Sequence, residues 1–194
     1  MKRTLALLAL LVIAAAGAAA AQDLHPSRQP SPMALTRTFV GEAYVSVVYS
    51  RPYKRGRDNI FGTAESEALV PYGELWRTGA NAATQLTTTG DVVLGGQTLA
   101  AGTYSVFSTP GAESWSVHIN SSLGLNGTFA RNPETGSFES AYSADNDVVT
   151  LTVAPSTIEE EVDQFTISFD TEGEGIDLVM QWITTEIRIP VSAP

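Results

Sequence analysis

Cysteine is absent from the chain, which excludes a disulfide framework, thiol catalysis and cysteine-ligated metals. Histidine is nearly absent. Of the two histidines, His25 precedes the expected domain and His118 stands alone within it. A nucleophilic triad needs a His base beside an activated Ser, and no G-x-S-x-G elbow occurs. Zinc and non-haem iron sites usually take two or more His or Cys ligands, so neither a metal nor another cofactor is expected. Basic residues are scarce as well: 11 Lys and Arg against 21 Asp and Glu give a formal charge of -10. That balance excludes the broad basic surface that nucleic acid or anionic lipid would require. Beyond the N-terminal segment no apolar 3.6-residue period persists, which excludes a helical domain.

What is present begins with a targeting signal. Met1-Lys2-Arg3 precedes a charge-free run from Thr4 to Gln22 with an apolar centre at Leu5 to Ile13 and small residues at Ala19 and Ala21. The pattern predicts a signal peptide over Met1–Ala21 with cleavage before Gln22. Alanine supplies about half of the run, which makes it a poor membrane span, and no Cys follows for acylation. The expected product is an acidic periplasmic or secreted protein with no membrane span after signal removal. Without disulfides, its core and ladders must supply the stability alone.

From Gln22 to Arg37 the residues Pro26, Pro30 and Pro32 among polar neighbours predict an extended leader. A single domain is expected over Thr38–Val191, and there the apolar residues recur with period two. Val45, Val47 and Tyr49 share a face; Trp115, Val117 and Ile119 share another, with Ser116 and His118 opposite. Gly95-Gly96 between Val92–Leu94 and Gln97–Leu99 is a hairpin signal. Further alternation marks Thr84–Thr89, Thr103–Ser108, Val149–Val153, Phe165–Phe169, Ile176–Trp182 and Ile187–Ile189, with an irregular stretch from Asn120 to Asn146. Short helices are placed at Thr63–Leu69 or Pro155–Glu161. The fold class is all-β, an antiparallel β-sandwich or jelly-roll-like arrangement.

His118 on a polar strand face reads as a solvated or hydrogen-bonded structural residue. Asp170 to Gly175 carries the acid spacing of half a calcium loop, yet Gln181 stands where a bidentate Glu is needed and both flanks are strands, so an acidic hairpin is expected. Charge distribution is more informative. Arg51, Lys54, Arg55, Arg57 and Arg77 cluster, whereas beyond Asn132 Arg188 is the only base. Arginine's planar fork suits bidentate contact with carboxylate or phosphate, inside the protein or outside it. The segment Leu69–Asn81 concentrates aromatic, Gly, Arg and Asn residues in the manner of a binding loop.

Three stretches carry a resemblance: Arg51-Pro52-Tyr53-Lys54-Arg55-Gly56-Arg57 with Ile60-Phe61-Gly62; Val70-Pro71-Tyr72-Gly73 leading into Trp76-Arg77-Thr78-Gly79-Ala80-Asn81; and Ala101-Gly102-Thr103-Tyr104-Ser105. With them the chain, from Pro32 to Val191, resembles the DUF2911 family of exported bacterial domains of unknown function. The resemblance implies a β-rich secreted domain and no established activity. It singles out Arg51, Arg57, Arg77 and Asn81, and it departs at Ala82 and Ile183, where family members carry acids. Three functions stand open. In the first, a non-catalytic module binds a small anionic or carbohydrate ligand through Arg51, Arg57, Arg77 and Asn81, rimmed by Tyr53, Tyr72 and Trp76. The second is an envelope structural domain with Trp76 and Arg77 as a buried plug. The third is a carboxylate hydrolase built on Glu74 with Glu42 or Asp58.

Overall fold

A computed structural model describes residues 29–194; the expected signal, Met1–Ala21, and the leader residues 22–28 lie outside the described residues. Alternating side chains build a six-stranded antiparallel sheet from β1 (Met33–Val40), β2 (Ala43–Ser50), β5 (Thr84–Thr88), β8 (Gly102–Thr109), β9 (Trp115–Asn120) and β12 (Asp147–Val153), adjacent in that order. A second antiparallel sheet runs β13 (Ser156–Asp170), β14 (Ile176–Ser192), β6 (Val92–Leu94) and β7 (Gln97–Leu99). Two short pairs stand apart from these sheets: β3 (Phe61–Gly62) with β4 (Val70–Pro71), and β10 (Phe129–Arg131) with β11 (Phe138–Ser140). The two large sheets face each other as an all-β sandwich, open at its edges rather than closed into a barrel.

Val45, Val47, Leu86, Val106, Val117, Ile119 and Leu151 of the first sheet meet Leu94, Ile167, Leu178, Met180 and Ile189 of the second in one core. Each fully buried aliphatic side chain stabilises the fold by about 1.5–3 kcal/mol. At one end the core becomes aromatic. Phe61 lies 4.9 Å from Trp115, Trp76 lies 5.0 Å from Phe165, and Trp76 stacks on Trp182 at 6.1 Å and 17°. Gly95 and Gly96 form the β6–β7 turn with φ of 56° and 84°, a pair that glycine adopts without a Cβ penalty.

Sandwich edges are closed by side chains and by loop backbone. The Tyr49 hydroxyl donates to the Ile167 carbonyl (3.0 Å) and accepts from the Ile167 amide (2.9 Å). Beside it, Phe165 N–H donates to Pro52 O (2.9 Å) and Lys54 N–H to Asp163 O (2.8 Å), so the chain leaving β2 continues along the free edge of β13.

Several expectations are corrected. Met33–Arg37, read as the end of the extended leader, belong to β1 and pair with Ser46–Ser50. The apolar pattern of β1 is inverted: Met33, Leu35 and Phe39 point to solvent and are more than half exposed. Pro155–Glu161 is no helix, because Ser156 and Thr157 pair with Glu186 and Thr185 and the ladder overrides local propensity. Thr63–Leu69 holds only one 3₁₀ turn, Ala64–Ser66. The stretch Asn120–Asn146 folds over the outer face of the first sheet and carries β10 and β11; its Leu125 packs with Ala83 and Phe107, flanked by Ala130, Ala141 and Tyr142.

Candidate functional site

The segment after β2 turns back at Lys54–Arg57, where Arg57 N–H donates to Lys54 O (3.1 Å). Arg55 and Gly56 occupy the centre with φ of 53° and 69°, positive at both positions as in a type I′ turn. Carbonyls fix the guanidinium groups: Arg55 Nη2 donates to Pro30 O at 2.8 Å and Arg57 Nη2 to Tyr53 O at 3.0 Å.

Facing this turn is the loop Trp76–Ala83. Trp76 exchanges backbone hydrogen bonds with Ser108 (2.7 and 2.8 Å), its Nε1 donates to Gly79 O (3.0 Å), and Thr84 Oγ1 donates to Thr78 O (2.6 Å). Gly79 is required by proximity: a Cβ there would fall 2.9 Å from the Ser50 carbonyl oxygen. Between turn and loop opens a cavity of about 350 Å³, lined by Tyr53, Arg55, Arg57, Trp76, Arg77 and Trp182 together with Pro30, Leu69 and backbone at Gly79 and Ala80. No Asp or Glu lines it.

Arg77 is the unusual member. Its Nε is fully buried without a hydrogen-bond partner. Burial pushes the guanidinium pKa below its usual value. Among the described residues no carboxylate lies within ion-pair distance of it. Buried cations are ordinarily paired, and an orphaned buried donor costs about 1–3 kcal/mol.

The expected site residues therefore divide. Arg57, Arg77, Tyr53 and Trp76 converge on one cavity. Arg51 turns away, donating from Nε to Phe165 O (3.1 Å) and from Nη2 to Thr166 Oγ1 (2.7 Å), which secures the edge of β13. Asn81 Nδ2 donates to Ser31 O (3.0 Å) and Ser50 Oγ (3.2 Å), and Asn81 lines a neighbouring cavity of about 420 Å³. Tyr72 lines a third, of about 160 Å³, with Phe61 and Trp115. Of the charged and aromatic lining residues, two lie outside the set expected from sequence, Arg55 and Trp182. Arg55 shared the basic run with Arg57, a signal already visible; Trp182 reaches the site only through the β13–β14 hairpin.

Glu74 is exposed and lines no part of the cavity. Asp58 sits 3.8 Å from Lys54 Nζ, which also pairs with Glu161 at 2.6 Å, while Glu42 lies in the β1–β2 turn. His118 Nδ1 lies 2.9 Å from Asp147 Oδ2, an oxygen that also accepts from the Tyr142 hydroxyl (2.9 Å), and Asn120 Nδ2 donates to Asp147 Oδ1 (2.7 Å). Burial and the adjoining carboxylate push the Tyr142 phenol up to about 12. This cluster staples the stretch after β9 onto the sheet. Asp170 accepts from the Glu172 amide (3.0 Å) and pairs with Arg188, and the acidic loop that follows joins β13 to β14. Among the described residues no group of three or more His, Asp or Glu is arranged to hold a metal ion.

No curated protein and no solved structure matches this chain. A family model described as a protein of unknown function, DUF2911, matches residues 31–191, and the chain belongs to that family.

Proposed function

We propose that this protein is an exported, non-catalytic binding module that takes a small anionic ligand in the cavity between the Lys54–Arg57 turn and the Trp76–Ala83 loop. One observation carries the reading: Arg77 is a part-buried cation with an unpartnered Nε, on a cavity that no carboxylate lines. A carboxylate or phosphate in the cavity would supply the counter-charge that no carboxylate among the described residues gives the Arg77 guanidinium. Arg55 and Arg57 add two held guanidinium groups, and Tyr53, Trp76 and Trp182 supply an apolar floor for the body of a ligand. The structural-domain reading has support at Arg51 and Asn81, which tie segments together, but it leaves Arg77 without a role. Two-carboxylate hydrolysis has no pair of acids at this cavity.

Export rests on Lys2-Arg3, the apolar centre and Ala19-x-Ala21. Intact-mass measurement of protein from the envelope fraction should give a chain beginning at Gln22; retention of Met1 would refute export by cleavage. Binding is tested by thermal denaturation in phosphate, acetate and chloride at matched ionic strength. Phosphate or acetate should raise Tm above the chloride value, as expected for a ligand held by the native state alone. Equal Tm in all three would refute the binding reading.

A further inference from the structure

The arginine cavity shares a wall with a second one. Gly79 and Ala80 line the first, and Asn81, Ala82 and Ala83 line the second. On the facing segment Pro30 and Ser31 belong to the first, Gln29 and Met33 to the second. The Asn81–Ser31 hydrogen bond, 3.0 Å long, ties the wall together. In chemistry the two cavities are opposites. The second, about 420 Å³, is lined by no charged residue; its surface is mainly apolar, with Met33, Val48, Ala82 and Ala83, and the carboxamides of Gln29, Gln85 and Asn126 stand on it together with Asn81, whose Nδ2 is already engaged by Ser31 and Ser50.

Arg77 lines the first cavity and also touches the chain next to the second. A Cβ on Gly127 would fall 3.0 Å from Arg77 Nη1, so this guanidinium lies against the residue that follows Asn126. A carboxamide offers two donors and an acceptor at fixed spacing, which suits neighbouring hydroxyls and discriminates against nothing by charge. Guanidinium groups next door demand an anion.

We propose that the two cavities are adjacent subsites for one elongated ligand, an acidic saccharide whose charged group sits with Arg57 and Arg77 and whose neutral hydroxylated part sits among the carboxamides. It rests on the anion-binding reading above and deepens it by naming the ligand class. The shared chemistry is an anionic group on a hydroxylated ring, whether the charge is a uronate carboxylate or a sugar phosphate.

Isothermal titration of the purified protein with acetate, inorganic phosphate, galacturonate, digalacturonate, glucose 6-phosphate and lactose separates the possibilities. Digalacturonate should bind about tenfold or more tighter than galacturonate, which in turn should exceed acetate. Stronger binding of glucose 6-phosphate than of inorganic phosphate would support the same inference with phosphate as the charged group. Gln85 points outward from β5, so Gln85→Ala should bring digalacturonate down about tenfold while leaving acetate and phosphate unchanged. Asn126→Ala, in a separate segment, should do the same, which distinguishes lost contacts from a distorted strand. If simple anions bind but none of galacturonate, digalacturonate and glucose 6-phosphate exceeds them, if neutral lactose binds as tightly as digalacturonate, or if both variants bind digalacturonate as wild type does, the acidic-saccharide inference is overturned and the anion site stands. If no anion binds, the anion reading fails and this inference fails with it.

Discussion

A guanidinium removed from water usually meets a carboxylate, because the loss of hydration must be offset by charge and hydrogen bonds. Arg77 meets none among the described residues, and its Nε has no acceptor. Arg51 makes the opposite case: both of its directed bonds go to β13, at Phe165 O and Thr166 Oγ1. The two arginines should therefore respond oppositely to truncation. Arg77→Ala should leave unfolding free energy within about 1 kcal/mol of wild type, since no internal pair is broken, and should abolish stabilisation by phosphate or acetate. Loss of about 3–5 kcal/mol would instead reveal a buried ionic partner. Arg51→Ala should lower stability by about 1–3 kcal/mol through unsatisfied acceptors at the strand edge while the anion response persists. Denaturant unfolding with and without ligand measures both, and a stable, ligand-responsive Arg77→Ala variant would remove the site.

Among the elements, the stretch between β9 and β12 depends on a polar staple rather than on a ladder with the main sheet. Asp147 gathers His118, Tyr142 and Asn120 at 2.7–2.9 Å, and Tyr142 also packs on Phe107 with ring centroids 5.0 Å apart. The phenol titrates at about 12 here, against about 10 in an unfolded chain. Below pH 10 both states hold the proton, so the stabilisation is fully present. Between about 10 and about 12 the unfolded state releases it first, and stability falls as pH rises. Alkaline unfolding should therefore steepen above pH 10 in wild type and less so in Tyr142→Phe, with proteolysis after β9 appearing first; identical pH curves would contradict the staple. Period two made β2, β5, β9 and β14 readable, and Gly95-Gly96 made the β6–β7 turn readable. It left β1 unread, with Met33–Arg37 taken as leader, because the larger side chains Met33, Leu35 and Phe39 face outward. It also could not assign Arg51, because which strand edge lacks a partner is decided by sheet order, a property of contacts more than a hundred residues apart. Arg57, Arg77, Tyr53 and Trp76, which line one cavity, were legible as candidates by type, in loops too rich in Gly and Pro to be strands. Asn81 was separated from them by the wall it helps to form.

For the whole molecule, charge and site have opposite signs. The chain carries -10 formally, and cleavage after Ala21 would remove Lys2 and Arg3 and deepen it, yet the proposed site gathers Arg55, Arg57 and Arg77 without an acid in its lining. A small anion approaching from a distance meets the net charge first and the arginines last. At an ionic strength of 0.01 M the Debye length is about 30 Å, longer than the roughly 15 Å radius of gyration expected for a domain of this size, so the full negative charge is felt. At 0.15 M it is about 8 Å, and only groups near the cavity mouth act on the ligand. Screening should therefore remove a repulsion before it weakens the partly buried contacts with Arg77. The association rate of phosphate or an acidic saccharide, measured by stopped-flow tryptophan fluorescence from Trp76 and Trp182, should rise between these two salt concentrations. Dissociation should quicken less over the same range. A ligand steered in by a cationic surface would show the reverse, with association slowing as salt is added, and that outcome would mean the arginine cavity dominates the field despite the acidic body around it.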